Sequence, residues 1–186
     1  MRNGNRKRSS SPATAGDLVE PIVVDAEKAR ERTMHRAVKL LAAKPRSTGE
    51  LRVRLLEKKW TNEEIVDAVL EKLLGYGYLD DAQFARGFAS FQIRQKPVGR
   101  KRLERALALK KVDKEIADEA IDQILEETPE EKLIDEAIQK RIRLRGKPET
   151  RQETKSLFDH LLRRGFQYDL VIRKVRETGA MDMDED

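Results

Sequence analysis

Residues able to do covalent or acid–base chemistry are thinly spread in this chain. Its two histidines, His35 and His160, lie far apart, and neither belongs to a metal-binding spacing such as HExxH. The absence of cysteine excludes a thiolate metal site and a disulfide framework. Asp80 and Asp81 form the carboxylate pair that acid–base or metal chemistry would use. Asp80 and Gln83, however, have the spacing of a helix N-cap and its reciprocal partner, and Asp81 reads as an exposed residue of the first turn. Gly75 and Gly77 do not make a phosphate loop, because no Walker lysine and hydroxyl follow them and no strand is predicted before them. Serines and threonines fall at helix starts or in the N-terminal arm, with no triad order around them. The expectation is a chain with no catalytic residues, no metal and no cofactor.

Charge remains as the functional signal. Of 186 residues 39% are charged, and the formal net charge is only +5, so distribution matters more than the sum. Acids dominate between Asp113 and Glu136. Bases dominate in two short segments, Arg100, Lys101, Arg102 and Arg105, and then Lys140, Arg141, Arg143, Arg145 and Lys147. These nine residues are the candidate contacts to a polyanion or to an acidic protein surface, since arginine forks onto phosphate and carboxylate alike.

The elements that must position them are helical. Leu, Ala, Glu, Lys and Arg dominate and aromatics make up 5% of the chain, a composition suited to helices with wide solvated faces. Residues 1–25 read as a basic arm without fixed structure, with Ile22, Val23 and Val24 as a short extended piece, and residues 179–186 as an acidic tail of the same kind. Between them the apolar period predicts helices over 26–43, from Ser47 with a Ser47/Glu50 capping box, and from Thr61 with a Thr61/Glu64 box, the last running to Gly75. A second trio spans Asp81 to Gln95, Gly99 to Lys110, and a helix capped by Asp113. A third starts at Thr128–Pro129–Glu131, continues from a Thr150/Glu153 box to a Gly165 cap, and ends with a helix over Tyr168 to Thr178.

Placing Trp60, Val112 and Phe166 in register aligns Leu51 with Leu103 and Leu157, and Leu55 with Leu107 and Leu161. Lys-Pro breaks at 44/45, 96/97 and 147/148 share a period of about 52 residues. The expected fold is all-α: three tandem three-helix repeats, 26–79, 80–127 and 128–178, in an elongated and curved array with mostly neighbour contacts. Trp60 and Phe166 are expected to pack between helices.

The stretch Gly77, Tyr78, Leu79, Asp80, Asp81, Phe84 and Ala85 resembles the hallmark of the RecX family, bacterial regulators of the RecA recombinase. The RSTGEL segment from Arg46 to Leu51, the Gly99 to Leu103 segment, and Arg164, Gly165 and Phe166 agree in order and spacing. Lys59 departs from the family pattern, where glycine is common. The hallmark residues are read as structural: Gly77 permits a turn, Asp80 caps and Phe84 packs, at a hinge between the first two repeats. Without cysteine or the apolar core of a signal peptide a cytoplasmic location is expected, and a monomer, with a dimer left open. The resemblance implies a non-enzymatic protein that binds the RecA filament on single-stranded DNA. It further implies suppression of ATP hydrolysis, filament growth and strand exchange, hence a role in recombination, DNA repair and the SOS response. The residues alone also allow a helical module that binds single- or double-stranded DNA without a recombinase partner, or a purely structural adaptor. No apolar run is long enough to span a membrane.

Overall fold

The computed structural model describes residues 25–178, and the expected N-terminal arm, its extended piece and the acidic tail lie outside them, save Asp25. The described residues form nine α-helices and no strand. They are α1 (Ala26–Ala43), α2 (Thr48–Leu56), α3 (Glu63–Gly75), α4 (Asp81–Gln95), α5 (Arg100–Leu109), α6 (Lys114–Glu127), α7 (Glu130–Arg145), α8 (Arg151–Arg163) and α9 (Tyr168–Glu177). The strongest helix contacts fall within the trios α1–α3, α4–α6 and α7–α9. These three-helix units match the tandem repeat expected from the register.

Local capping explains most boundaries. Asp25, Ser47, Asp80 and Asp113 each accept a backbone N–H of the first turn of their helix, and Thr150 with Glu153 makes a complete capping box. Two starts differ from expectation. Asn62, not Thr61, caps α3 by accepting from Ile65 N–H, which leaves Thr61 buried with its hydroxyl 3.1 Å from that of Thr33. Pro129, not Thr128, precedes α7, and Thr128 instead ends α6 by donating its N–H to the Ile124 carbonyl. At α2 the box is half made: Ser47 caps, while the Glu50 carboxylate turns to basic partners.

Three helices end in the same left-handed turn. Gly77 (φ 71°), Lys111 (φ 58°) and Gly165 (φ 85°) lie just past the helix cap, and in each case the residue's own N–H and that of the next residue fold back onto the final turn. Tyr78 N–H donates to Leu73, Val112 to Leu107 and Phe166 to Leu161. The α2 end lacks this turn. Trp60, expected to pack, is 39% exposed beside Lys58, whereas its register mates Val112 and Phe166 are 7% and 1% exposed. The difference follows from position, since the units touch through these turns and, among the described residues, nothing packs on the first unit at this end.

Apolar burial divides unevenly. Leu51, Leu55, Val66, Val69, Leu70, Leu73 and Leu79 make one core with Ala37, inside the first unit. The second and third units share a single continuous core, in which Leu103, Leu107, Ile121, Ile134, Leu161, Phe166 and Val171 are fully buried. Val38 of α1, Leu74 of α3 and Phe91 of α4 are exposed.

Candidate nucleic-acid and filament interface

The units are joined by one repeated device. The start of the second helix of a unit meets the end of the second helix of the next. Counting from Trp60, Val112 and Phe166, Ser47 aligns with Gly99, Thr48 with Arg100, Glu50 with Arg102, and Lys110 with Arg164. At the first junction Ser47 Oγ donates to the Lys110 carbonyl; at the second, Gly99 N–H donates to the Arg164 carbonyl at 3.0 Å. A carboxylate from the first residue of the following helix caps the incoming helix in both. Asp81 accepts from Thr48 N–H at 2.7 Å, and Glu130 accepts from Arg100 N–H at 3.1 Å. Asp81 is therefore not a spare surface acid: Asp80 caps its own helix and Asp81 caps the helix of the unit before.

Glycine is required where these backbones touch. A Cβ on Gly49 would lie 2.4 Å from the Lys111 carbonyl oxygen, one on Gly99 2.4 Å from that of Gly165, and one on Gly165 2.4 Å from Arg102 N. The RSTGEL, Gly99–Leu103 and Arg164–Phe166 segments, scattered in sequence, are thus the facing surfaces of the two junctions.

Their side chains differ in charge. At the first junction Glu50 takes Arg46 at 2.6 Å and Lys110 at 3.1 Å. Burial pushes this carboxyl up, but the Lys110 bond and the Lys110, Lys44 and Arg46 charges outweigh it and hold it below its ordinary value. At the second junction the aligned pair is Arg102 and Arg164. Burial pushes the Arg164 guanidinium down, and the Arg102 and Arg141 charges push it further. Its Nε–H donates to His160 Nε2 at 3.0 Å and a terminal N–H to the Pro97 carbonyl at 2.9 Å.

The predicted basic residues divide accordingly. Arg100 is spent on Asp122 and Glu104, and Arg105 turns back to the Lys101 carbonyl at 3.0 Å. Lys101 is exposed, and its backbone N–H donates to the Gly165 carbonyl at 3.1 Å. Arg102, by contrast, joins Arg141 and Arg145 of α7, His160 and Arg163 of α8, and Arg164 just past its end. Burial first, then the charges of Arg164, Arg141, Arg163 and Arg145, push the His160 imidazole down to about 4, so it is neutral at physiological pH. Arg141 donates to Ser156 Oγ at 2.9 Å, and burial together with Arg145 and Arg163 lowers its guanidinium too. Among the described residues none of Arg102, Arg141, Arg145, Arg163 and Arg164 has a carboxylate within 4.0 Å. Lys140, Arg143 and Lys147 are exposed nearby in sequence. Arg163, Arg164 and His160 were not among the sequence candidates; the register, which sets Arg164 opposite Arg102, is the signal that finds them.

A phosphate chain placed on such a crowd of arginines would relieve their mutual repulsion and release counterions. Among the described residues no group of three or more His, Asp or Glu is placed to hold a metal, and no helix is long and apolar enough to cross a membrane.

Comparison with known proteins agrees with this architecture. Residues 34–73 match the model of the first three-helix domain of RecX, and residues 80–121 that of the second. The chain is 32% identical over 146 residues to "Regulatory protein RecX" of Prosthecochloris aestuarii, covering 78% of this chain and 93% of that one. It is 30% identical to the protein of the same name in Chlorobium limicola over 77% and 89% of the two chains. The match to the Bacillus licheniformis protein, at 29% identity, covers 77% of this chain but 54% of the longer relative. The crystal structure of RecX from Lactobacillus salivarius superposes with a TM-score of 0.72 at 18% identity, over 82% of this chain and 98% of that one, and supports the fold.

Proposed function

Because the chain belongs to the RecX family of regulatory proteins, we propose that it binds the RecA filament on single-stranded DNA and restrains its ATP hydrolysis, growth and strand exchange. The carrying observation is the arginine cluster at the second junction: five guanidinium groups from α5, α7 and the end of α8, with no carboxylate within 4.0 Å among the described residues. A filament on DNA offers phosphates and protein carboxylates on one repeating surface, and a chain of helical units contacts it at several points. In this reading the protein acts in the cytoplasm as a monomeric regulator of recombination, repair and the SOS response, without catalysing a reaction. Arg102, Arg145 and Arg163, all exposed, supply the contacts, Arg143, Lys140 and Lys147 extend the field, and Arg164 holds the junction.

The test is RecA-dependent ATP hydrolysis and strand exchange with and without this protein, alongside its affinity for bare DNA at matched salt. Inhibition is expected at protein concentrations that leave bare DNA unsaturated. Replacing Arg102, Arg145 and Arg163 together by glutamate is expected to weaken inhibition at least tenfold with helicity unchanged. A second reading, a sequence-independent DNA-binding module, is favoured by the same cluster. It predicts inhibition only where DNA is already sequestered, with log affinity falling steeply against log salt.

A further inference from the structure

The first and second units do not fuse their cores, and the seam between them is open. The outer face of α1 supplies Val38 and Leu41, and α4 supplies the stripe Phe84, Phe88 and Phe91, with Tyr78 at one end. Together they wall a groove of about 1050 Å³, large for a small ligand and suited to a peptide segment. Val38, Tyr78 and Phe91 are 47%, 67% and 52% exposed, so the apolar wall faces solvent. Gly87 lies on the same side of α4 with nothing within 4 Å of a Cβ placed there, which costs the helix stability and leaves the groove unobstructed.

The rim identifies the occupant. Lys44, Arg46, Arg94 and Lys110 border the groove with Asp80; Glu50 already takes Lys44 at 3.7 Å, Arg46 at 2.6 Å and Lys110 at 3.1 Å, which leaves Arg94 as the exposed rim cation with no ion pair among the described residues. Bases stacking on rings fit less well, because Val38 and Leu41 offer no flat face and Phe84 and Phe88 already stack on each other at 5.8 Å and 19°. We propose that the groove between α1 and α4 docks an apolar segment of a partner protein flanked by a carboxylate, the apolar side chains against the phenylalanine stripe and the carboxylate on Arg94. The proposal rests on the filament reading, under which the segment belongs to a RecA protomer. Four of the hallmark residues, Gly77, Tyr78, Asp80 and Phe84, then serve recognition as well as the turn.

The experiment places the photocrosslinker p-benzoylphenylalanine at position 91 and irradiates the full chain with RecA filaments on a labelled oligonucleotide. A crosslink to an apolar, acid-bearing RecA peptide is expected. Transfer to the oligonucleotide, to a second copy, to residues 1–24 of the same chain, or to nothing while filament binding persists overturns the proposal. In parallel, F91E and V38E, both at exposed positions, are expected to weaken filament co-sedimentation at least tenfold with helicity intact. Wild-type binding by both variants removes the groove and leaves the filament reading standing. A wild-type chain that neither sediments with filaments nor inhibits them removes both.

Discussion

The two junctions use one backbone device and opposite electrostatics. At the first, Glu50 faces Lys110 in an ion pair; at the aligned positions of the second, Arg102 faces Arg164. The first stitches two separate cores with polar bonds from Ser47, Asp81 and Glu50. The second is carried by a continuous apolar core, and apolar continuity is what allows it to hold like charges together at the rim. The repeat thus separates tasks that a single interface would have to combine: polar stitching sets the first joint, and burial frees the second to present unbalanced charge.

The comparison is tested most severely at Gly165. Its positive φ and its contact with Arg102 should together make G165A cost roughly 3 kcal/mol, from left-handed strain plus overpacking. Gly77 occupies the same kind of turn at φ 71° with open space around it, so G77A should cost only about 1 kcal/mol. Equal losses in urea denaturation would show that backbone strain, not junction contact, accounts for the glycine.

Next in size, D81A should cost about 1–2 kcal/mol by uncapping α2 across the first junction, and the Thr48 amide should lose hydrogen-exchange protection while α4 keeps its own cap. Replacing Lys111, the non-glycine residue among the left-handed turns, should move stability the other way. K111G is expected to gain roughly 0.5–1 kcal/mol, read from the denaturation midpoint at constant slope.

The smallest stability change and the sharpest readout belong to R102E, which gives the second junction the charge pattern of the first. Stability should shift by less than about 1 kcal/mol, as for exposed ion pairs, while affinity for DNA falls. The imidazole of His160 reports the same change by NMR titration. It should titrate near 4 in the free protein and move upward when a polyanion binds or when Arg163 and Arg145 are removed. The sign for stability follows: the unfolded chain takes a proton near the ordinary value of 6.5 that the folded state refuses, so stability falls as pH drops through the window from about 6.5 to 4.

Much of the fold was legible in the residues because its determinants are local. The Thr150/Glu153 box, the Asp80 cap, the span of α4 and the Gly165 turn all follow from side chains within a few positions of each other. The Thr61 and Thr128 starts were misplaced by one residue because Asn62 and Pro129 compete at adjacent positions for the same backbone role. The junctions were not legible, since Ser47 meets Lys110 and Arg102 meets Arg163 across dozens of residues, and no local pattern announces such pairs. Of the basic candidates, Arg102, Arg141 and Arg145 lie in the cluster, while Arg100 is consumed by Asp122, an acid from the neighbouring helix that sequence reading had grouped with a separate acidic segment.

Trp60 is the chain's one tryptophan, and it sits at the outer end of the first unit with Lys58 5.7 Å from its ring. Its fluorescence therefore observes one third of the molecule. Because the first unit's core is separate from the shared core of the other two, emission and helical circular dichroism follow different cooperative blocks. Noncoincident melting curves from these two probes would make the first unit a separately timed element of the same polypeptide.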